Sequence, residues 1–324
     1  MKKFALVSAL VVAACGADSE TDRGDGGHDD SDDVIELGQV ELPGRIAVSG
    51  ECVVVVGFGG AACVPLAGGD ARLLAPLTNR SFVSPVADGD TGVIVATLSL
   101  NFGPDGDRTM HIDRIGLDGS VMTLGMAFAG YGAGEGLAIA GDRIVFSTGG
   151  SADLLSIPRA GGPTKQLASD SGNFGDVAVI GTTAYYLNGG TVYAHDLTST
   201  SSSHGTAYGS TGFFDEATLA TDGTSMIAVG SSFDEAQQTV VQLVPATTAI
   251  PPLDGSPGYV AMTGNRAYVI AGGNLHEVDL ATSTSTLVFD GVGEDEDVAD
   301  VAIAGDLVVW IQFDGKVRAQ ELRL

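Results

Sequence analysis

At 324 residues the chain is long enough for one large domain or two, and a hydrophobic content of 44% excludes wholesale disorder. Its 41 Asp and Glu residues against 15 Lys and Arg leave a formal charge of −26, which excludes nucleic acid as a partner and direct attraction to anionic lipid. Acidity of this degree accounts for solubility, or for a high-salt habitat, before it points to a site.

The N-terminus carries an address. Lys2 and Lys3 are basic, Phe4 to Val12 is apolar, and Val12-Ala13-Ala14-Cys15 follows. Residues 1–14 read as a secretory signal peptide, too short to span a bilayer as a mature helix. The four residues ending at Cys15 resemble the lipobox of bacterial lipoproteins. That resemblance implies cleavage before Cys15 and acylation of the cysteine, several acyl chains giving stable anchoring. Gly16, rather than Asp, follows the cysteine, which in that family implies an outer-membrane lipoprotein facing the periplasm or the cell surface. The competing reading is an ordinary signal peptide cut after Ala14, with Cys15 incidental. Residues 15–33 are acidic, Gly-rich and nearly free of aliphatic side chains, so they read as a flexible tether. His28 sits there among carboxylates and reads as part of a solvated tail.

Residues 34–324 read as one domain, ordered by seven glycines. Gly50, Gly89, Gly141, Gly181, Gly223, Gly264 and Gly305 stand at intervals of 39, 52, 40, 42, 41 and 41 residues. Each follows a short apolar segment, as in Leu137-Ala138-Ile139-Ala140-Gly141 and Val301-Ala302-Ile303-Ala304-Gly305. Such a period, with several short strands per unit, predicts an all-β fold: a seven-bladed β-propeller of four-stranded antiparallel blades. Six or eight blades are the alternatives. The third unit shows the plan, with strands A to D at Leu137–Ala140, Ile144–Ser147, Leu154–Pro158 and Lys165–Ala168. The sixth repeats it at Val260–Thr263, Ala267–Ile270, Leu275–Leu280 and Thr286–Phe289. In the second unit the surplus falls around Asn101 to Arg108 and reads as a lengthened B–C hairpin. The seventh has only three strands, at Val301–Ala304, Leu307–Ile311 and Val317–Leu322. Val34 to Leu37 is expected to supply the fourth, closing the ring from both ends of the chain and removing open sheet edges.

Several segments carry a family likeness. Gly141-Asp142-Arg143-Ile144-Val145-Phe146, Ile157-Pro158-Arg159-Ala160-Gly161-Gly162 and Thr182-Thr183-Ala184-Tyr185-Tyr186 resemble the NHL and YWTD-like repeats of secreted and lipid-anchored bacterial propellers. The YWTD tetrad itself is absent; Ala184-Tyr185-Tyr186-Leu187 and Ala267-Tyr268-Val269-Ile270 stand nearest to it. The resemblance implies a binding or scaffold module, with a few lyases and lactonases among such propellers. Lactonases of this architecture use a Glu, an Asn and an Asp near the axis, and Glu135, Asn173 and Asp300 are the residues that could stand there.

Cys52 and Cys63 should lie on neighbouring strands of the first blade. A two-residue turn at Gly57-Phe58 would set them opposite each other, and the bacterial envelope permits a disulfide. The other reading is two reduced, buried cysteines. In a four-stranded blade the B–C and D–A loops emerge on one face. The D–A loops hold Glu135, Asp176, Asp215, Glu216, Glu294 to Asp297 and Asp300, and the B–C loops add Asp105, Asp107, Asp234 and Glu235. Tyr131, Phe174, Phe213, Phe214 and Tyr259 accompany them. This face is expected to be markedly acidic. Carboxylates among aromatics suit a cationic small ligand, a basic envelope protein or a hard cation such as calcium.

Catalytic motifs are scarce. No two of the five histidines form a metal-binding pair, and His111, His195 and His276 fall on third strands, where they read as structural. There is no nucleophile elbow and no phosphate loop. Gly57-Phe58-Gly59-Gly60 reads as a hairpin turn, since no helix follows it. The single Trp310 excludes propellers built on repeated tryptophans and reads as core. Two functions remain. The preferred one is a monomeric, lipid-anchored module that binds without catalysis through an acidic loop face. The alternative is a metal-dependent hydrolase or lyase with carboxylates at the central channel.

Mass spectrometry of the mature protein should find Cys15 at the N-terminus, acylated. An unmodified N-terminus further along the chain would overturn the lipoprotein reading.

Overall fold

Twenty-eight strands and no helix are assigned among the described residues. The computed structural model describes residues 34–322, apart from 42–43, 58, 77–79, 100–107, 131–135, 149–152, 170–173, 189, 202–204, 211–215, 232–237, 245–247, 251–252, 254–256 and 291–296. The chain divides into two units, residues 1–33 and residues 34–324, and the second holds every described residue. The signal segment, Cys15 and the acidic tether lie outside the described residues.

The strands form seven separate four-stranded antiparallel sheets. β1 (Ile35–Gln39) comes first and stands apart. Blade one is β2 (Arg45–Ser49), β3 (Cys52–Gly57), β4 (Gly60–Pro65) and β5 (Arg72–Pro76). Blade two is β6 (Arg80–Ala87), β7 (Gly92–Ser99), β8 (Arg108–Gly116) and β9 (Val121–Gly130). Blade three is β10 (Leu137–Ala140), β11 (Arg143–Thr148), β12 (Asp153–Pro158) and β13 (Lys165–Ser169). Blade four is β14 (Phe174–Ile180), β15 (Thr183–Asn188), β16 (Thr191–Asp196) and β17 (Thr206–Ser210). Blade five is β18 (Glu216–Thr221), β19 (Met226–Ser231), β20 (Gln238–Val244) and β21 (Thr248–Ile250). Blade six is β22 (Pro257–Thr263), β23 (Arg266–Ala271), β24 (Asn274–Asp279) and β25 (Thr284–Phe289). Blade seven is β26 (Val298–Ala304), β27 (Leu307–Gln312) and β28 (Lys316–Glu321), completed by β1.

The repeat glycines mark the A–B turns, and their φ angles lie between 55° and 88°. L side chains rarely adopt that conformation, which is why the same residue type returns in every unit. The first strand of each blade packs against its counterpart in the next, and β26 meets β2, so the ring is closed. Second strands are covered on both faces by adjacent blades. They therefore read as unbroken apolar runs: all six residues of β3 are buried, as are Val308 to Gln312 of β27. Trp310 is fully buried, its ring 5.3 Å from that of Phe289.

Each of the seven seams between blades has its own apolar cluster of seven to eleven buried residues. Full burial of a Val, Leu or Ile side chain is worth about 1.5–3 kcal/mol, against about 1 kcal/mol for a hydrogen bond, so the seams dominate cohesion. Blade seven has the same cluster on its blade-one side, where Leu37 and Val40 join Val309, Ile311 and Val317. Ile35 pairs with Ala319 and Gln39 with Lys316, and Val40 N–H donates to the Gly315 carbonyl at 3.0 Å.

Two expectations are corrected and a third holds. The blade-one hairpin closes with Gly57 opposite Gly60, two positions out of the expected register. Cys52 thus faces Pro65 and Cys63 faces Val54; the two cysteines are diagonal, and a disulfide joins them with their Cα atoms 5.3 Å apart. The surplus of blade two does fall mainly in its B–C hairpin, which runs from Gly92 to Gly116 against Arg143 to Pro158 in blade three; its tip lies outside the described residues. Closing the ring also leaves edges, because every blade still presents its outer strand at the rim. At two seams the next blade's C–D turn covers that edge. Gly69 N–H donates to the Leu37 carbonyl of β1, and Gly162 N–H to the Leu124 carbonyl of β9. Between blades one and two the outer strand reaches across instead, Arg72 donating to the Leu117 carbonyl.

Deleting residues 34–40 should lower the melting temperature of the whole domain in one cooperative transition, while deleting residues 16–30 should leave it unchanged. Equal tolerance of both deletions in a thermal melt would count against closure by β1.

Candidate functional site

Five residues before each repeat glycine stand Arg45, Ser84, Gly136, Asp176, Thr218, Tyr259 and Asp300. They share one repeat position, at the D–A end of the innermost strands. Two of them act alike. Asp300 accepts from Val301 N–H at 2.9 Å within its own blade, and from Ile46 N–H at 2.8 Å in blade one. Asp176 accepts from Val177 N–H at 2.8 Å, and from Leu219 N–H at 2.8 Å in blade five. Each carboxylate ties its inner strand to the next. Gly136 leaves no room for such a side chain, since a Cβ there would lie 2.3 Å from Val177 N. Ser147 spans that seam instead, accepting from Gly136 N–H and donating to the Gly175 carbonyl at 2.8 Å.

Arg45 completes the cluster. Its Nε donates to Asp300 at 3.1 Å, and its guanidinium carbon lies 3.4 Å from the centre of the Tyr259 ring. Tyr259 is in blade six and Arg45 in blade one, so the side chain spans blade seven and lies at the axis. Burial works against the charged form, yet Asp300, Tyr259 and Asp176 together hold its pKa above the ordinary arginine value. Carboxylate, aromatic ring and cation therefore meet at this position. The protein's own arginine supplies the cation.

Among the described residues, Asp176 and Asp300 both act on Arg45, and Asp297 lies elsewhere. Asp176 and Asp300, expected in loops, both lie inside their inner strands, and Asp300 is only 5% exposed. Bulges between Phe174 and Val177, and between Val298 and Asp300, carry those strands upstream of the point where alternation stops. Asp297 lies against Gly273 of the blade-six B–C turn, and its carbonyl accepts from Phe313 N–H at 3.0 Å. Glu135, Asn173 and Asp215 lie outside the described residues, as do Glu294 to Glu296, Asp105, Asp107, Asp234 and Glu235. Glu216 begins β18, with its side chain outside them.

Nor is the acidity confined to that face. The A–B turns on the opposite face carry Glu51, Asp90, Asp142, Asp222 and Asp306; the C–D turns carry Asp70 and Asp118, and Asp196 and Asp279 end the strands that lead into them. Several of these carboxylates build their own turns. Asp118 accepts from Ser120 Oγ at 2.6 Å and from Ser120 N–H at 2.9 Å, which holds it below the ordinary aspartate value. Among the described residues, no three His, Cys, Asp or Glu side chains come together as a metal-ligand set.

The third-strand positions of His111, His195 and His276 are as expected, on β8, β16 and β24. His195 is 4% exposed, and its Nε2 has no hydrogen-bond partner among the described residues. Burial depresses its pKa; Asp196 partly offsets this and Lys165 adds to it.

No family model and no curated protein matches this chain. Solved structures do match in fold. A virginiamycin B lyase from Staphylococcus aureus is 13% identical with a TM-score of 0.64, covering 89% of this chain and 99% of that one. The Pan2 WD40 domain of Neurospora crassa is 15% identical with a TM-score of 0.63, over 90% and 96%. BamB from Moraxella catarrhalis is 16% identical with a TM-score of 0.54, over 87% and 85%. At such identities the likeness establishes the propeller fold and leaves function to the site.

A histidine depressed on folding weakens the protein in acid. Above the ordinary value of 6.5 both states are neutral at His195; below it the unfolded chain takes up the proton first. Stability should therefore fall as the pH drops from about 6.5 toward the depressed folded value. In melts between pH 7.5 and pH 5, His195→Gln should show a shallower acid loss than the parent. An unchanged slope would remove His195 as its source.

Proposed function

We propose that this chain is a lipid-anchored envelope propeller that binds a partner or ligand without transforming it. One observation supports the reading above others: the two described channel carboxylates are already engaged. Asp176 and Asp300 each bond the backbone of the next blade, and Asp300 also holds Arg45. A hydrolase or lyase of the lactonase kind needs carboxylates at the axis free to ligate a metal or move a proton. The lyase among the structural neighbours shares the fold alone.

The ligand face in this reading is the one bearing the D–A and B–C loops, with Glu135, Asp215, Glu216 and Asp297 as its anionic groups. Asp176 and Asp300 drop out as ligand-binding residues and become inter-blade ties. Val34 lies at the other end of blade seven, where β1 begins beside Ala319. β1 thus begins on the face of the A–B turns, opposite the D–A face. Cationic small molecules, basic envelope proteins and calcium remain the candidate ligands.

Two variants separate a tie from a binding group. Asp300→Ala leaves the part-buried Arg45 unpaired and should lose about 3–5 kcal/mol of stability. Glu135, Asp215, Glu216 and Asp297 neutralised together should keep the melting temperature but lose poly-lysine binding and any calcium-induced rise in it. Poly-lysine and calcium responses unchanged in the neutralised protein would overturn the assignment of that face. An Asp300→Ala protein with its stability intact would reopen the catalytic alternative.

A further inference from the structure

Blade seven differs from the others in one respect, set by how the ring closes. β28 and β1 are neighbours in the sheet but are joined by no hairpin, since β1 precedes blade one in the chain. Blade seven therefore has no C–D turn. At two seams that turn shields the outer strand of the preceding blade: blade one's turn covers β1, and blade three's turn covers β9 through Gly162 and through Thr164 Oγ1, which donates to the Met126 carbonyl at 3.0 Å. The strand that loses this shield is β25.

β25 lacks the usual substitutes as well. Edge strands are otherwise blunted by charge, by proline or by brevity. β13 carries Lys165, β5 carries Arg72 and Pro76, β1 carries Glu36, and β21 has three residues; β17 is uncharged like β25 but shorter, at five residues. β25 is Thr-Ser-Thr-Leu-Val-Phe, six residues without a charge or a proline. Among the described residues, no backbone group outside blade six bonds to it. Thr284 to Leu287 are exposed, Leu287 at 53%.

Beside it the missing turn leaves a cleft between blades six and seven. Tyr268, Glu277, Leu287, Val288, Gln320 and Glu321 line it. Glu277 is ion-paired with Arg266 and accepts from the Tyr268 hydroxyl at 3.1 Å. Gln320 Oε1 is buried and has no hydrogen-bond partner among the described residues. An acceptor of that kind is costly to leave unmatched and is met by an incoming donor. β1 does not reach it, because the pairing stops at Ile35 and Ala319.

We propose that β25 accepts an extended, cationic segment of a partner protein as a fifth strand of blade six, with one of its polar side chains entering the cleft. This rests on the binding-module reading and gives it a second surface, away from the D–A loops. Strand addition draws affinity from main-chain hydrogen bonds and specificity from alternate side chains, which an uncharged edge with a flanking cleft provides. The sign of the partner is set by charge: the chain carries −26, and Asp279, Asp290 and Glu321 flank the strand and its cleft.

The test uses the full-length protein and a capped Lys-Thr-Val-Thr-Val-Thr-Lys peptide, with a Glu-flanked version as control. The Lys peptide should bind, should protect the amides of Thr284–Phe289 from hydrogen exchange, and should bind at least tenfold more weakly to Leu287→Lys. Leu287 is exposed, so that variant should melt like the parent. The variant neutralised at Glu135, Asp215, Glu216 and Asp297 should bind the peptide normally. Binding unaffected by Leu287→Lys, or protection confined to the D–A loops, would overturn the strand-addition site and leave the acidic-face reading standing. Loss of poly-lysine binding in the neutralised variant, with peptide binding at β25 intact, keeps the two readings separate. Absence of Lys-peptide binding, or equal binding of both peptides, would also overturn the proposal.

Discussion

No blade of this protein can bury both of its faces alone. Each four-stranded sheet is apolar on two sides, and only another blade can cover either side. This is why the apolar clusters fall at the seams rather than within blades, and why the second strands carry unbroken valines. It also makes the ring obligatory: a row of seven blades would leave two bare faces, and the circle leaves none. The strand that β1 lends to blade seven answers that demand. Its Leu37, with Val40 just beyond it, fills the same kind of seam that Leu74 and Ala75 fill one blade further on.

The axis shows how a repeat position is divided between structure and chemistry. Seven copies of one site hold six residue types, from no side chain at Gly136 to a paired cation at Arg45. Asp176 and Asp300 do the same work three blades apart, and their bonds to the next inner strand hold seams at the level where a ligand would enter. With Arg45 stacked on Tyr259, the axis at this level is held by side chains bridging blades.

The period and the turns were legible because each A–B turn needs a residue at positive φ, and glycine meets that need without strain. Blade three could be placed almost to the residue for the same reason. The missing fourth strand of blade seven was legible because an incomplete sheet must find a partner. The position of Asp300 was missed: a bulge carries β26 upstream, and a bulge has no periodic signal in sequence. Arg45 was missed because charge was weighed in loops, whereas its signal was positional, five residues before Gly50. The carboxylates of the opposite face carry no distinguishing signal in sequence, and the structure shows Asp118 and Asp196 to be turn formers.

The pairing of Ile35 with Ala319 has a consequence for how the molecule comes into being. The first strand to be made waits for the last. Blades one to six can assemble from neighbouring segments, but the ring has no closed state until nearly the whole domain is available. Loop-closure entropy rises only slowly with length, about 0.6 kcal/mol per doubling, so the long wait costs little at equilibrium. Its cost is in time, because contacts so distant in sequence form late. Until then an open chain of blades exposes the apolar faces at both of its ends. A polypeptide with this topology is safest when held out of reach of its neighbours while it folds, and strong mutual repulsion between copies, each at −26, achieves that.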